Sequence, residues 1–135
     1  MLKKIDHIGI AVCSLEKSLP VFQGLGLEFL GTEEVPSQKV KVAFFEVGDV
    51  RVELLEPTST ESPIAKFLEK RGEGLHHIAY ETGNIQEEME RLRASNFEFL
   101  DKEPRAGAHE SRVSFLHPKS TNSVLTEICE HLQTK

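Results

Sequence analysis

Cysteine is scarce in this 135-residue chain, positive charge is in deficit, and no apolar run approaches the roughly 20 residues that cross a bilayer. Each shortage excludes something. No transmembrane helix is expected. Lys and Arg total 16 against 22 Asp and Glu, and the resulting net charge of −6 argues against a nucleic-acid partner held through its phosphates, because such proteins draw most of their affinity from basic side chains. Cys13 and Cys129 stand near opposite ends with neither CxxC spacing nor secretory context, so no disulfide or thiolate metal site is expected, and both read as small core residues. The opening MLKKIDHIGI has two lysines, but Asp6 and His7 interrupt its apolar stretch and no small-residue cleavage site follows, so it does not read as a secretory signal and the expected compartment is the cytoplasm. What remains is the composition of an ordinary globular domain, 39% hydrophobic and 28% charged, in one domain spanning 1–135.

An internal repeat organises that domain. HIGIAVCSLEKSLPVFQGLGLEFLGTE (7–33) lies without a gap over HIAYETGNIQEEMERLRASNFEFLDKE (77–103), which sets His7 on His77 and EFL 28–30 on EFL 98–100. After a few inserted residues KVAFF (41–45) lies over RVSFL (112–116), and VELLE (52–56) over TEICE (126–130), so Glu53 meets Glu127. Each half thus carries one His early and one Glu late.

Local patterns agree between the halves. Residues 4–12 alternate as a strand, with His7 the polar exception on its face. Ser14 can N-cap a helix bearing Leu15, Leu19 and Phe22 and ended by Gly24 and Gly26; Pro20 inside it should kink or shorten it. In the second half Asn84 and Glu87 resemble a capping box ahead of Ile85, Met89 and Leu92. Strands are expected at 27–31, 39–47 and 50–56, then at 97–101, 111–117 and 124–130. Ser62 and Pro63 start a short linker helix through about Lys70. The expected architecture is α+β: module one (1–58), a linker helix segment (59–73) and module two (74–135), each module βαβββ, forming a curved, partly closed mixed sheet around a metal site.

The metal expectation rests on parity. Glu53 and Glu127 each alternate with apolar neighbours, hence lie on a pleated sheet face, and the repeat should bring them together with His7 and His77. Two imidazoles and two carboxylates suit a borderline divalent cation such as Co²⁺, Zn²⁺, Ni²⁺ or Mn²⁺. A lone strand histidine is usually a satisfied core or surface residue; recurrence of both residue types at equivalent positions is what singles these four out. His76 points to the opposite face and pairs in the repeat with Asp6, while His109, His117 and His131 read as surface histidines.

These residues resemble the vicinal oxygen chelate superfamily and, within it, the methylmalonyl-CoA epimerase family. The matching stretches are DHIGIAV (6–12), VKVAFFEVGDVRVELLEPT (40–58), SPIAKFLEKRGEGLHHIAYE (62–81) and FLHPKSTNSVLTEICE (115–130). The resemblance implies paired βαβββ modules, one divalent metal per chain on His7, Glu53, His77 and Glu127 with Co²⁺ favoured, an acyl-CoA thioester substrate and a homodimer. It also implies proton transfer α to a carbonyl, with Glu127 as one base and Glu53 as the other acid/base group or relay. A second base that some members carry on strand 39–47 falls on Val42 here. Lys119 and Ser120, in HPKS, are candidates for binding the substrate. Members usually have glycine where this chain has Glu110 and Ser123. Lactoylglutathione lyase is the alternative enzyme, and a metal-free binding module of the same fold the alternative of another class. An Fe(II) dioxygenase would want only two His and one carboxylate.

Overall fold

The computed structural model describes residues 1–132 and contains, in order, β1 (Leu2–Ala11), α1 (Leu15–Gly24), β2 (Glu28–Val35), β3 (Val40–Val47), β4 (Val50–Pro57), α2 (Pro63–Arg71), β5 (Gly74–Thr82), α3 (Ile85–Ala94), β6 (Arg105–Gly107), β7 (Ser111–Leu116) and β8 (Thr126–His131). The chain divides into two units. One is His7–His76; the other joins Met1–Asp6 to the chain from His77 onward.

In the His7–His76 unit the strands run in the order β2-β3-β4-β1, with β1 parallel to β4 and the other pairs antiparallel. One sheet face presents Ile10, Val52, Leu54, Ala43 and Phe45, on which α1 lays Leu15, Leu19 and Phe22. Phe45 is fully buried, a contribution of about 1.5–3 kcal/mol on its own. The unit from His77 onward repeats the plan as β5-β8-β7-β6, with β5 parallel to β8. There α3 sets Ile85, Met89 and Leu92 against Leu116 and Ile128. Both modules are therefore βαβββ, as the repeat requires.

The helix ends also repeat. Ser14 Oγ accepts from the Lys17 amide at 3.2 Å, and Asn84 Oδ1 from the Glu87 amide at 3.0 Å. Glu87 does not complete a capping box: the Asn84 amide donates instead to Thr82 Oγ1 at 3.3 Å. Past each C-terminus the chain turns through a left-handed residue, Gly26 (φ 93°) and its repeat partner Asn96 (φ 74°). Pro20 neither shortens nor stops α1, which matches α3 at 10 residues. Its exposure lets water reach the backbone it leaves unbonded, so the usual cost is reduced.

Three further expectations are corrected. Residues 97–101 form no strand; Phe99 makes a single bridge to Leu116 because Phe97 and Phe99 pack on the α3 cluster, and the strand of this position is the short β6. Cys13 is exposed rather than core, at the mouth of α1, where its amide donates to Glu73 Oε2 at 2.8 Å; only Cys129 is buried. His131 is half-buried on β8, its Nε2 2.7 Å from Asp6 Oδ1, rather than simply solvated. The linker helix behaves as expected, with Ser62 Oγ accepting from the Ile64 amide at 3.1 Å, Pro63 at the first helical position, and Phe67 meeting the edge of His76 at 5.0 Å between centroids.

A buried charge lies on α3. Glu88, 2% exposed, is ion-paired to Arg91 and to the Met1 amino group. Burial pushes its carboxyl up, but the hydrogen bonds and positive charge of Arg91 and Met1 together hold it below the ordinary carboxylate range.

Candidate functional site

Each unit brings its own histidine and glutamate together. In the first, the parallel register places His7 opposite Arg51 and Gly9 opposite Glu53, so His7 and Glu53 are diagonal neighbours on the sheet face away from α1. His7 Nδ1 lies 3.4 Å from Glu53 Oε2, with both side chains 7% exposed or less. In the second, Ala79 lies opposite Glu127, and His77 Nε2 lies 3.0 Å from Glu127 Oε1, both side chains 5% exposed. Flanking residues recur too. Glu53 has Gly9 on one neighbouring strand and Phe44 on the other; Glu127 has Ala79 and Phe115. A small residue leaves the face bare beside each carboxylate, and an aromatic ring walls its other side. Phe115 also meets the His77 ring edge-on, 5.5 Å between centroids.

Carboxylates this deep are costly unless paired. The donor spacing suits a metal shell. Two ligands about 2.1 Å from an ion stand about 3.0 Å apart at a right angle and about 3.4 Å apart at the tetrahedral angle. The observed separations of 3.0 and 3.4 Å fall on those values, and the donors are the N and O types that borderline divalent cations take. The residues therefore fit the expected cation within each repeat. A softer donor is close by: Asp6, Cys129 and His131 offer ligand atoms within 4.8 Å of one another.

The remaining expectations fare differently. Lys119 and Ser120 sit in a single 3-10 turn, Pro118–Ser120, where Ser120 Oγ accepts from the Glu98 amide at 3.0 Å and Lys119 Nζ is 3.8 Å from Glu98 Oε1. Their polar atoms are engaged with Glu98. His117 Nδ1 accepts from the Lys119 amide at 3.1 Å, so it caps this turn. Val42 is buried on β3 beside Leu55.

Two features escaped sequence reasoning. Arg51 donates from Nη2 to Glu53 Oε2 at 3.1 Å while its guanidinium lies 5.8 Å from the Phe44 centroid. Its place two residues before Glu53, on the same pleated face, was the available signal. Glu56 Oε1 accepts from the Leu15 amide at 2.8 Å, and Glu130 Oε1 from the Ile85 amide at 2.9 Å. The last strand of each module thus ties down the first amide of its helix. These glutamates coincide in the same VELLE/TEICE overlay that aligns Glu53 with Glu127.

Comparison with known proteins yields consistent findings. The profile of the Glyoxalase/Bleomycin resistance protein/Dioxygenase superfamily matches residues 6–115. The chain is 44% identical over 130 residues to the uncharacterized protein YqjC of Bacillus subtilis, spanning 96% of this chain and 93% of that one. It is 38% identical over 131 residues to the ethylmalonyl-CoA/methylmalonyl-CoA epimerase of Cereibacter sphaeroides, spanning 95% of this chain and 98% of that one. Among solved structures, a methylmalonyl-CoA epimerase variant of Streptomyces coelicolor in complex with 2-nitronate-propionyl-CoA superposes with a TM-score of 0.94 at 36% identity, spanning 98% of this chain and 100% of that one.

Proposed function

The chain belongs to the Glyoxalase/Bleomycin resistance protein/Dioxygenase superfamily, and from that premise we propose that it is an isomerase that interconverts the (2R) and (2S) forms of methylmalonyl-CoA. The observation that carries the reading is the recurrence, in both repeats, of a buried His–Glu pair at ligand spacing, 3.4 Å for His7 and Glu53 and 3.0 Å for His77 and Glu127. In this reading the four residues hold one divalent cation, Co²⁺ foremost with Zn²⁺, Ni²⁺ or Mn²⁺ as substitutes. Bound there, the cation supplies Lewis acidity toward the oxygens of the substrate.

The chain's own residues do the rest. The Glu127 carboxylate takes the C2 proton; the C–H electron pair moves into the adjacent thioester carbonyl, giving an enolate. Glu53, from the other repeat, provides or relays the proton returned to the opposite side of C2. Gly9 and Ala79 leave space beside these carboxylates, and Phe44 and Phe115 keep water from them. Lys119 and Ser120 would meet the substrate only by exchanging their Glu98 contacts for it. A homodimer in the cytoplasm completes the reading.

The test is incubation of the protein with (2S)-methylmalonyl-CoA and Co²⁺ in D₂O. Incorporation of solvent deuterium at C2 with loss of chirality is expected. No exchange, together with turnover of the methylglyoxal–glutathione adduct, would replace this reading with that of a lactoylglutathione lyase.

A further inference from the structure

The unit that joins Met1–Asp6 to the chain from His77 onward holds a donor set with no equivalent in the other repeat. Cys129 and His131 stand two residues apart on β8, so both project from the face that carries Glu127. Asp6 Oδ1 meets His131 Nε2 at 2.7 Å, and one ligand atom from each of Asp6, Cys129 and His131 falls within 4.8 Å of the other two. In the repeat overlay Asp6 corresponds to His76, Cys129 to Leu55 and, one residue past VELLE and TEICE, His131 to Pro57. Duplication therefore does not account for the cluster. Asp6 and Cys129 are buried, whereas the His131 side chain is 23% exposed and gives an ion a way in from solvent.

We propose that Asp6, Cys129 and His131 form a second metal site, which takes Zn²⁺ or a similarly thiophilic divalent cation. One thiolate, one imidazole and one carboxylate make a softer set than the two imidazoles and two carboxylates of the His/Glu site. On binding, the Cys129 thiol releases its proton, and the Asp6–His131 contact releases the proton that it shares; the ion takes their place. The Asp6 and His131 atoms must part by about 0.3–0.7 Å to reach the spacing of two ligands on one ion, a shift within reach of the half-buried His131. Three protein donors leave the fourth position to water, which makes the site exchangeable, unlike a structural site closed by four protein ligands. With one protein donor fewer than the His/Glu site, it fills second.

Co²⁺ is the probe, because a thiolate on Co²⁺ gives an intense near-ultraviolet charge-transfer band that nitrogen and oxygen donors do not give. Equilibrium dialysis of the reduced protein against rising Co²⁺ should show visible bands alone with the first ion per chain and the thiolate band with a second, and Zn²⁺ should bleach that band by displacing Co²⁺. Cys129→Ser should lose the band and the second ion while keeping the first. Asp6→Asn and His131→Ala should each weaken the second ion about tenfold to hundredfold. Cys13→Ser, at the exposed thiol, and His77→Ala, at the His/Glu site, should both keep the band. No band at saturation, or a single ion per chain throughout, would overturn the proposal. So would a band that Cys13→Ser or His77→Ala abolishes, or one that Asp6→Asn and His131→Ala leave unchanged, since the thiolate would then belong to the surface or to the cation on Glu127. Failure of the epimerase reading shows separately, as absence of C2 exchange in the wild type, and leaves the band where it was.

Discussion

Replacing Glu130 should loosen α3 from β8 by a calculable amount. Its Oε1 accepts from the Ile85 amide at 2.9 Å, at the first position of a 10-residue helix. A hydrogen bond to a charged group contributes about 1.5–3 kcal/mol, and the helix dipole's share of that near an N-terminus is about 0.3–1 kcal/mol. Glu130 is half-buried, so the lower part of the range applies, and Glu130→Ala should cost about 2 kcal/mol. For a chain of this size roughly 3–5 °C of midpoint corresponds to each kcal/mol, which places the loss at roughly 6–10 °C. Glu130→Gln keeps an acceptor and loses only the charge, about 1 kcal/mol or roughly 3–5 °C. Thermal unfolding followed by circular dichroism measures both, and high salt should narrow the gap between Gln and wild type. Midpoints of both variants within about 1 °C of the parent would refute the reasoning, because that is roughly 0.3 kcal/mol. Glu56, tied to the Leu15 amide, should behave alike in the first repeat.

Other outcomes are expected. Glu88 is held below the ordinary carboxylate range, so the folded state binds fewer protons there than the unfolded state; its contribution is complete above the unfolded value near 4.3 and fades as pH falls through the folded one. Its partners, Arg91 and the Met1 amine, are 43% and 85% exposed, so Glu88→Gln should cost only about 1 kcal/mol at neutral pH, and its denaturation curve should merge with wild type in acid. Adding Co²⁺ at about a hundred times its dissociation constant should stabilise the protein by about 2.7 kcal/mol, and His77→Ala, Glu127→Ala or a chelator should remove that gain. Ser123 (φ 69°) and Glu110 (φ 50°) are exposed residues held left-handed; Ser123→Gly should raise stability by roughly 0.5 kcal/mol, the relief of strain less the extra freedom of glycine when unfolded, read as a small rise in urea midpoint.

Much of this was legible in the sequence because repetition makes coincidence costly. His7, Glu53, His77 and Glu127 could be singled out without coordinates, and the pairings of His7 with Glu53 and of His77 with Glu127 follow from parity and parallel register. Apolar pattern alone misled at 97–101, where Phe97 and Phe99 serve the helix cluster and a single bridge replaces a strand. Cys13 looked like core because small apolar residues surround it in sequence, yet the chain is already leaving β1 there to start α1. Arg51 was passed over because the repeat drew attention to what the halves share, and its interest lies in what they do not. The tethers of Glu56 and Glu130 needed coordinates, since a carboxylate three residues beyond another gives no sign that it reaches a helix amide.

The glycines expected at positions 110 and 123 are absent, but the backbone still turns as though they were there, each with a left-handed neighbour, His109 (φ 57°) and Asn122 (φ 56°). At such positions the favoured enantiomer is reversed: a D-residue sits at positive φ as comfortably as an L-residue sits in a helix. A chain assembled by chemical ligation with D-serine at position 123 would keep the hydroxyl and the chain's backbone stiffness while removing the steric conflict, which glycine cannot do. Inverting one stereocentre within a strand would damage the fold. In these two turns it would mend a mismatch between the handedness of the residue and that of the path it follows.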